Sequence, residues 1–330
     1  MTVVARVARL LAPRELVFED VELDAGALEP GSLFAETEVS AVSLGTERAA
    51  YVGDPPLRPG PVYPRLVGYC NVATVRASAS PDLPIGARIL THQSHRSAFV
   101  CSTADVLARV PPEVTSAEAS LTYLAHLGLA ALRRAAFAPG ERVAIVGLGA
   151  IGLATTALVR AFGSPAVAIG NAPERLSLAL AAGASAARAG DEVEDASADL
   201  VVLTANTWEA WRLATRIAAR FGRIAVLGFP GRTDGPPPFN PLESRSFYDK
   251  QLAIFGAGMP VASGPAPESE ATTLSRGVEM LLGMIARGQL SLAKLVTHEV
   301  PWTELRDVYE RAAAGDKQLV TALLRWRDGR

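Results

Sequence analysis

The sequence predicts an α/β protein, a doubly wound parallel sheet preceded by an all-β lobe. Two observations carry that expectation. An apolar strand at Val143–Val146 runs straight into Gly147-Leu148-Gly149-Ala150-Ile151-Gly152 and a small-residue helix, after which strands and helices alternate. Before it, short runs of strand composition are broken by Gly and Pro turns. With 330 residues and 49% hydrophobic content, the chain can build a core for each of two domains.

In chain order, strands are expected at 3–11, 16–21, 34–42, 68–75 and 88–90. They are punctuated by Gly31, Gly53-Asp-Pro-Pro, Arg58-Pro-Gly-Pro and Ser80-Pro-Asp. The texture changes at Pro111, where Ser116 caps a helix carrying Leu121, Leu124, Leu127 and Ala131 at helical spacing. From Val143 the expected alternation is strand, helix 150–162, strand 166–169, helix 173–182, strand 200–203, helix 208–220 and strand 224–227. The proline-rich run 236–241 cannot join a ladder, and a strand at 252–255 follows it. A loop at 259–270, a helix from about 272 to 287 and a closing strand–helix–strand complete the chain.

Composition narrows the function classes. A formal net charge of −2 gives no electrostatic basis for nucleic acid or an anionic membrane. The uncharged run from Val143 to Val159 is broken by three glycines and falls short of the roughly 20 residues a span requires. Cys70 and Cys101 are the only cysteines, which rules out a disulfide framework and fits a reducing compartment. The start lacks a signal-peptide pattern, so a soluble cytoplasmic protein is expected.

The glycine turn has a definite chemistry. Gly147 permits the tight turn, Gly149 lets a pyrophosphate approach the backbone, and Gly152 lets the helix pack on the strand. The free N–H groups of the helix start then meet phosphate charge. Leu148, Ala150 and Ile151 belong to the same dinucleotide loop.

With these features in order, the chain resembles the medium-chain dehydrogenase/reductase superfamily over nearly its whole length. The resemblance rests on Gly45-Thr46-Glu47, Pro64-x-x-x-Gly68, the glycine turn, Ala253-Ile-Phe-Gly256, and the tail Leu295-Val-Thr-His298-x-x-Pro301 followed by Val308-Tyr309-Glu310. It implies a GroES-like β-barrel catalytic domain, residues 1–124 with 255–330, split around a Rossmann domain at 125–254. It also implies a small-molecule substrate, a nicotinamide between the two domains, and a homodimer.

Many members hold a catalytic zinc through a Cys-Gly-Thr/Ser-Asp loop, a Gly-His-Glu segment and a later Cys or Asp. Those positions read Leu44, Gly68-Tyr69-Cys70 and Tyr123 here, and the four-cysteine structural zinc loop is missing as well. Leucine offers no donor and Cys70 alone builds no site, so a zinc-independent protein is expected. Ser43-x-Gly-Thr-Glu47 resembles the branch of bacteriochlorophyllide a dehydrogenase-like proteins. That branch often reads Gly-Tyr-Glu where this chain has Gly68-Tyr69-Cys70, and the lost carboxylate leaves the branch's substrate open for this chain. His92 and His95 form a His-x-x-His with no carboxylate nearby in sequence. With Arg96 they are expected on a surface or at the cleft mouth, facing an acidic substrate or solvent.

Without zinc, charge on a substrate oxygen must be met by hydrogen-bond donors. The candidate set is Thr46, Tyr69, Tyr123 and His126, with apolar filling of the vacated volume the alternative for the two tyrosines and a satisfied structural histidine the alternative for His126. Glu47 is expected to brace its own loop, and His298 to be structural. The cofactor set continues with Gly170, Asn171 and Arg175 after the second strand, then Thr204, Gly228 and Phe255. An acid gripping the ribose 2′-hydroxyl belongs about 20 residues past the first glycine, and Gly170 stands there instead. With Asn171 and Arg175 to meet a 2′-phosphate, NADPH is expected over NADH; Glu174 belongs to a helix first turn behind Pro173. Two reactions stay open: exchange of a secondary alcohol and a ketone, or reduction of the C=C of an α,β-unsaturated carbonyl. A non-catalytic NADPH-binding protein is the third reading.

Overall fold

The computed structural model describes residues 1–55, 62–231, 233, 235–258 and 273–326. The chain divides into two compact units. One holds Met1–Tyr123, Thr272–Gly288 and Val296–Arg330, and the other Leu124–Ala271 with Gln289–Leu295. The expected loop at 259–270 and the Arg58 turn lie outside the described residues.

The first unit is built on β1 (Thr2–Ala12), β2 (Glu15–Asp24), β3 (Ser32–Ala41), β4 (Arg65–Leu66), β5 (Asn71–Ser78), β6 (Arg88–Thr91), β7 (Ala98–Ser102) and β8 (Val106–Arg109). Helix α1 (Leu44–Val52) sits between β3 and β4, and α2 (Ser116–Arg134) carries the chain into the second unit. A three-stranded sheet runs β2-β1-β4, and β3, β5, β6 and β8 form an antiparallel path with β7 beside β3. Alternation explains the barrel-like packing. Leu33, Ala35, Ala73, Val75, Ile89 and Phe99 point to one buried cluster.

The second unit is a six-stranded parallel sheet. Its strands are β9 (Val143–Val146), β10 (Ala166–Ile169), β11 (Ala186–Arg188), β12 (Ala198–Leu203), β13 (Ala218–Val226) and β14 (Ala253–Gly256). The order β11-β10-β9-β12-β13-β14 is the Rossmann order, reversing between β9 and β12. Helices α3 (Ala150–Ala161), α4 (Pro173–Ala181) and α5 (Trp208–Ile217) supply the crossovers. β9 is buried at every position, as a central parallel strand covered on both faces must be.

Several boundaries differ from the sequence expectation, and two of them have a physical reason in the second unit. Helix α5 stops at Ile217 rather than 220, and residues 218–220 already belong to β13. Lys250 explains the stop: its Nζ donates to the carbonyls of Thr215, Arg216 and Ala218 at 2.9, 2.7 and 2.8 Å. A distant cation thus satisfies carbonyls a longer helix would have used. The expected division at 254/255 falls inside β14, which pairs with β13 through Gly256.

The chain then returns to the first unit through α6 (Thr273–Ala286), β15 (His298–Pro301), α7 (Leu305–Ala313) and β16 (Ala322–Arg325). β16 pairs antiparallel with β3, so the C-terminal segment completes a sheet begun 280 residues earlier. Leu305, Val308 and Tyr309 of α7 pack with Val42, Ala50 and Tyr51. No helix among the described residues is long and apolar enough to cross a membrane.

Candidate functional site

In the second unit, the glycine turn sits at the carboxyl end of β9, where the sheet order reverses. Gly147 has φ +101°, and a Cβ there would lie 2.6 Å from Ala205 N. A Cβ on Gly152 would lie 2.0 Å from Gly147 O, which shows how closely the helix start sits on the turn. Around Gly149, by contrast, nothing lies within 4 Å of a Cβ. That open face and the uncapped start of α3, whose N-cap is Gly149 itself, fit a pyrophosphate. Thr204 closes the turn from β12, its hydroxyl donating to Gly147 O at 2.7 Å. A Cβ on Gly228 would meet Thr204 O at 2.3 Å, which places Gly228 against the same turn. Phe255 lies in β14.

After β10, a Cβ on Gly170 would reach 2.9 Å from Leu148 Cδ1, so no acidic side chain fits there without moving that leucine. Asn171 is exposed, and Pro173 and Glu174 open α4 with Arg175 in its first turn. A cavity of about 650 Å³ lies elsewhere in this unit, lined by Arg212, Arg216, Phe239 and Lys250 among others. Two of its cations are engaged: Arg216 pairs with Asp195 and Lys250 holds three carbonyls. With its open Gly149 face and uncapped helix start, the glycine turn is the stronger nucleotide candidate.

In the first unit, Thr46, Tyr69 and Tyr123 come together. The Tyr69 hydroxyl donates to Ser43 Oγ at 2.5 Å, and the Tyr69 and Tyr123 rings meet edge-on with centroids 5.6 Å apart. Burial pushes the Tyr69 phenol well above its ordinary value, while hydrogen bonds with Ser43 and Thr46 pull the other way. Tyr123, 2% exposed, is pushed up to about 12 by burial and then by the Cys70 thiol, so it keeps its proton. The Tyr123 hydroxyl has no hydrogen-bond partner among the described residues, whereas that of Tyr69 is engaged. His126 lies one turn further along α2 and is fully buried.

Sequence reasoning misplaced His95. It is neither on a surface nor at a cleft mouth but 0% exposed, at the centre of a buried polar chain. Its Nε2 donates to Glu47 Oε2 at 2.9 Å, and Ser40 Oγ lies 2.8 Å from its Nδ1. Trp326 Nε1 donates to Ser40 Oγ, and the Tyr309 hydroxyl to Glu47 Oε2, at 2.9 and 2.6 Å. Ser43 N–H closes the set on Glu47 Oε1 at 2.8 Å. Burial pushes the Glu47 carboxyl up, but His95, Tyr309 and Ser43 together hold it below its ordinary value. The expected bracing role of Glu47 therefore extends across β3, α1, α7 and Trp326, which follows β16. Arg96 spends its guanidinium on Ser94 Oγ, at 2.9 and 2.6 Å. His298 lies 3.0 Å from Thr297 Oγ1 and 2.9 Å from an Arg311 nitrogen.

Ser43 and His92 were also missed as partners of the tyrosines. Ser43 is the N-cap of α1, yet its hydroxyl makes no cap bond and accepts from Tyr69 instead. A serine four residues before a glutamate was the available signal. The donor set at these positions does not fit zinc. Leu44 has no donor atom, burial followed by Glu47 raises the Cys70 thiol well above its ordinary value, and Tyr69 is committed to Ser43. Among the described residues no group of three or more His, Cys, Asp or Glu is arranged to hold a metal.

The chain is similar to members of the medium-chain dehydrogenase/reductase superfamily. It is 27% identical to sorbitol dehydrogenase of Bacillus subtilis over 63% of this chain and 57% of that one. It is 27% identical to 2-desacetyl-2-hydroxyethyl bacteriochlorophyllide A dehydrogenase of Cereibacter sphaeroides over 96% of this chain and 97% of that one. Among solved structures, L-idonate 5-dehydrogenase of Escherichia coli matches with a TM-score of 0.79 at 15% identity, covering 98% and 99% of the two chains. A putative zinc-binding dehydrogenase of Sinorhizobium meliloti, bound to NADP, matches at 0.76 and 19%, with the same coverage. No family model matches the chain.

Proposed function

We propose that the protein is a zinc-independent, NADP(H)-dependent oxidoreductase that moves a hydride between nicotinamide and a secondary alcohol or ketone. It acts on a small molecule, in the cytoplasm, as a homodimer. The observation that carries this reading is the Tyr123 phenol. It is a proton-holding donor without a hydrogen-bond partner among the described residues, standing where zinc-binding members carry a ligand. A neutral hydroxyl can hydrogen-bond a substrate oxygen as charge develops on it. Thr46 supports the same oxygen, and Tyr69, anchored on Ser43, forms the aromatic wall. The curated relatives named above are dehydrogenases of hydroxylated compounds, which favours carbonyl–alcohol exchange. The same hydroxyls could serve an enolate, which keeps reduction of a C=C as the alternative.

Supplying NADPH with cyclohexanone, and separately with cyclohex-2-enone, distinguishes the two. Attack at C=O in both is expected, and saturation of the enone alone would favour the alternative. Tyr123→Phe should lower turnover about 100-fold with NADPH affinity unchanged. Activity that disappears on chelation and returns with stoichiometric zinc would overturn the metal-free reading.

Cofactor preference rests on Gly170, Asn171 and Arg175. With no acid to repel a 2′-phosphate, NADPH should bind at least about tenfold tighter than NADH, and Arg175→Ala should narrow that gap. Titration by nucleotide fluorescence reads both affinities. Tighter NADH binding by the wild type would reverse the assignment.

A further inference from the structure

His92 touches both tyrosines of the cluster. Its Nδ1 lies 3.2 Å from Tyr69 O, and its ring meets Tyr123 edge-on with centroids 4.4 Å apart. A carbonyl oxygen can only accept, so Nδ1 carries the proton in that bond. The neutral ring is thereby fixed as the Nδ1–H tautomer, leaving the Nε2 lone pair exposed for chemistry. No hydrogen bond to Nε2 occurs among the described residues. The ring is half-buried, so it is both held and reachable.

We propose that His92 is the acid–base residue of this enzyme, a role resting on the hydride-transfer reading above. In alcohol oxidation, Nε2 takes the hydroxyl proton while the carbinol C–H bond breaks and its electron pair leaves as hydride to NADP⁺. The products are ketone, NADPH and the imidazolium. In reduction, hydride from NADPH attacks the carbonyl carbon and the C=O π pair moves to oxygen. That oxygen takes the Nε2 proton, and the neutral imidazole is reprotonated from water. The Tyr123 phenol hydrogen-bonds the same oxygen without losing its proton. Burial lowers the affinity of His92 for a proton, opposed by the Tyr69 carbonyl, which keeps the base form available at neutral pH. The titratable groups around the ring are Tyr69, Tyr123 and, behind Tyr123, Cys70. All are neutral, with their protonation favoured by burial.

His92→Phe keeps the ring against Tyr123 and removes Nε2. With NADP⁺ and a panel of cyclohexanol, 2,3-butanediol and sorbitol, its turnover should fall about 100- to 1,000-fold. NADPH affinity should stay within twofold of wild type. In His92→Ala, added imidazole should restore turnover at least tenfold, which a packing role would not produce. On the wild type, ¹⁵N-resolved imidazole spectra should show His92 with Nδ1 protonated and Nε2 bare, a readout independent of any variant's folding. An active wild type beside a His92→Phe protein keeping a third of its turnover would overturn His92 alone. So would a neutral ring protonated at Nε2. A wild type inactive on the whole panel would overturn the hydride-transfer reading and this assignment with it.

Discussion

Replacing His95 with alanine should unfold the protein more readily than any other single change in the first unit. The expected loss is about 3 kcal/mol, the upper end for removing a hydrogen-bond partner from a buried group, because the stranded acceptor is a carboxylate. Glu47 is 3% exposed and His95 0%, so bulk solvent does not reach the stranded carboxylate. The carboxylate would keep Tyr309 and Ser43, but two neutral donors do not offset the missing ring. In a protein of this size, a melting midpoint lower by on the order of 10 °C follows. Glu47→Gln removes the charge that His95→Ala strands, so the double variant should lose less than the sum of the singles.

The pH dependence has a definite sign. The folded Glu47 carboxyl lies below its ordinary value, so the unfolded chain binds more protons in acid. Its contribution is complete above about pH 4.5, near the unfolded value, and is lost as pH falls through the folded one. Thermal melts from pH 7 down to 3 should therefore fall less steeply for Glu47→Gln than for wild type. Melts of His95→Ala within 2 °C of wild type across that range would mean the buried chain carries no stability.

The contrast between this network and the glycine turn explains what the sequence makes legible. The glycine turn is local: strand, glycines and helix are contiguous, and their geometry follows from backbone sterics alone. β10 accordingly runs over Ala166–Ile169, as its apolar run demands. The Glu47 network is assembled from Ser40, Glu47, His95, Tyr309 and Trp326, whose partners are up to 286 residues apart. No periodicity encodes such a meeting. A histidine in a His-x-x-His spacing therefore looks exposed or metal-binding until β3, α1 and α7 enclose it. Gly68 holds the one local trace. It adopts φ +86°, and a Cβ there would lie 2.6 Å from the His95 ring, so the glycine is needed for both conformation and room. The end of α5 was hidden for the same reason, since Lys250 stops it from 32 residues away.

The glycine turn permits a sharper test, because two of its glycines should respond in opposite ways. Gly149→Asp is expected to fold at least as well as wild type yet lose dinucleotide binding at least about 100-fold, equivalent to roughly 2.7 kcal/mol. Gly149 is the N-cap of α3 with no side-chain cap, and open space surrounds its would-be Cβ. Aspartate there can accept from the first free N–H groups and complement the helix dipole, a gain of about 0.5–1 kcal/mol. The same carboxylate occupies the face where phosphate would sit and repels it. Gly152→Ala should fail on both counts. Its methyl would stand 2.0 Å from Gly147 O and 3.0 Å from Thr204 Oγ1, and the first of these is backbone that cannot swing aside. The turn must move, at a cost of about 2–4 kcal/mol in stability, and the phosphate cradle moves with it. Calorimetric titration with NADPH beside thermal melts reads both quantities for each variant. A Gly149→Asp protein that binds NADPH as tightly as wild type would remove the phosphate from α3. It would leave the 2.0 Å approach at Gly152 as a packing feature of the sheet alone.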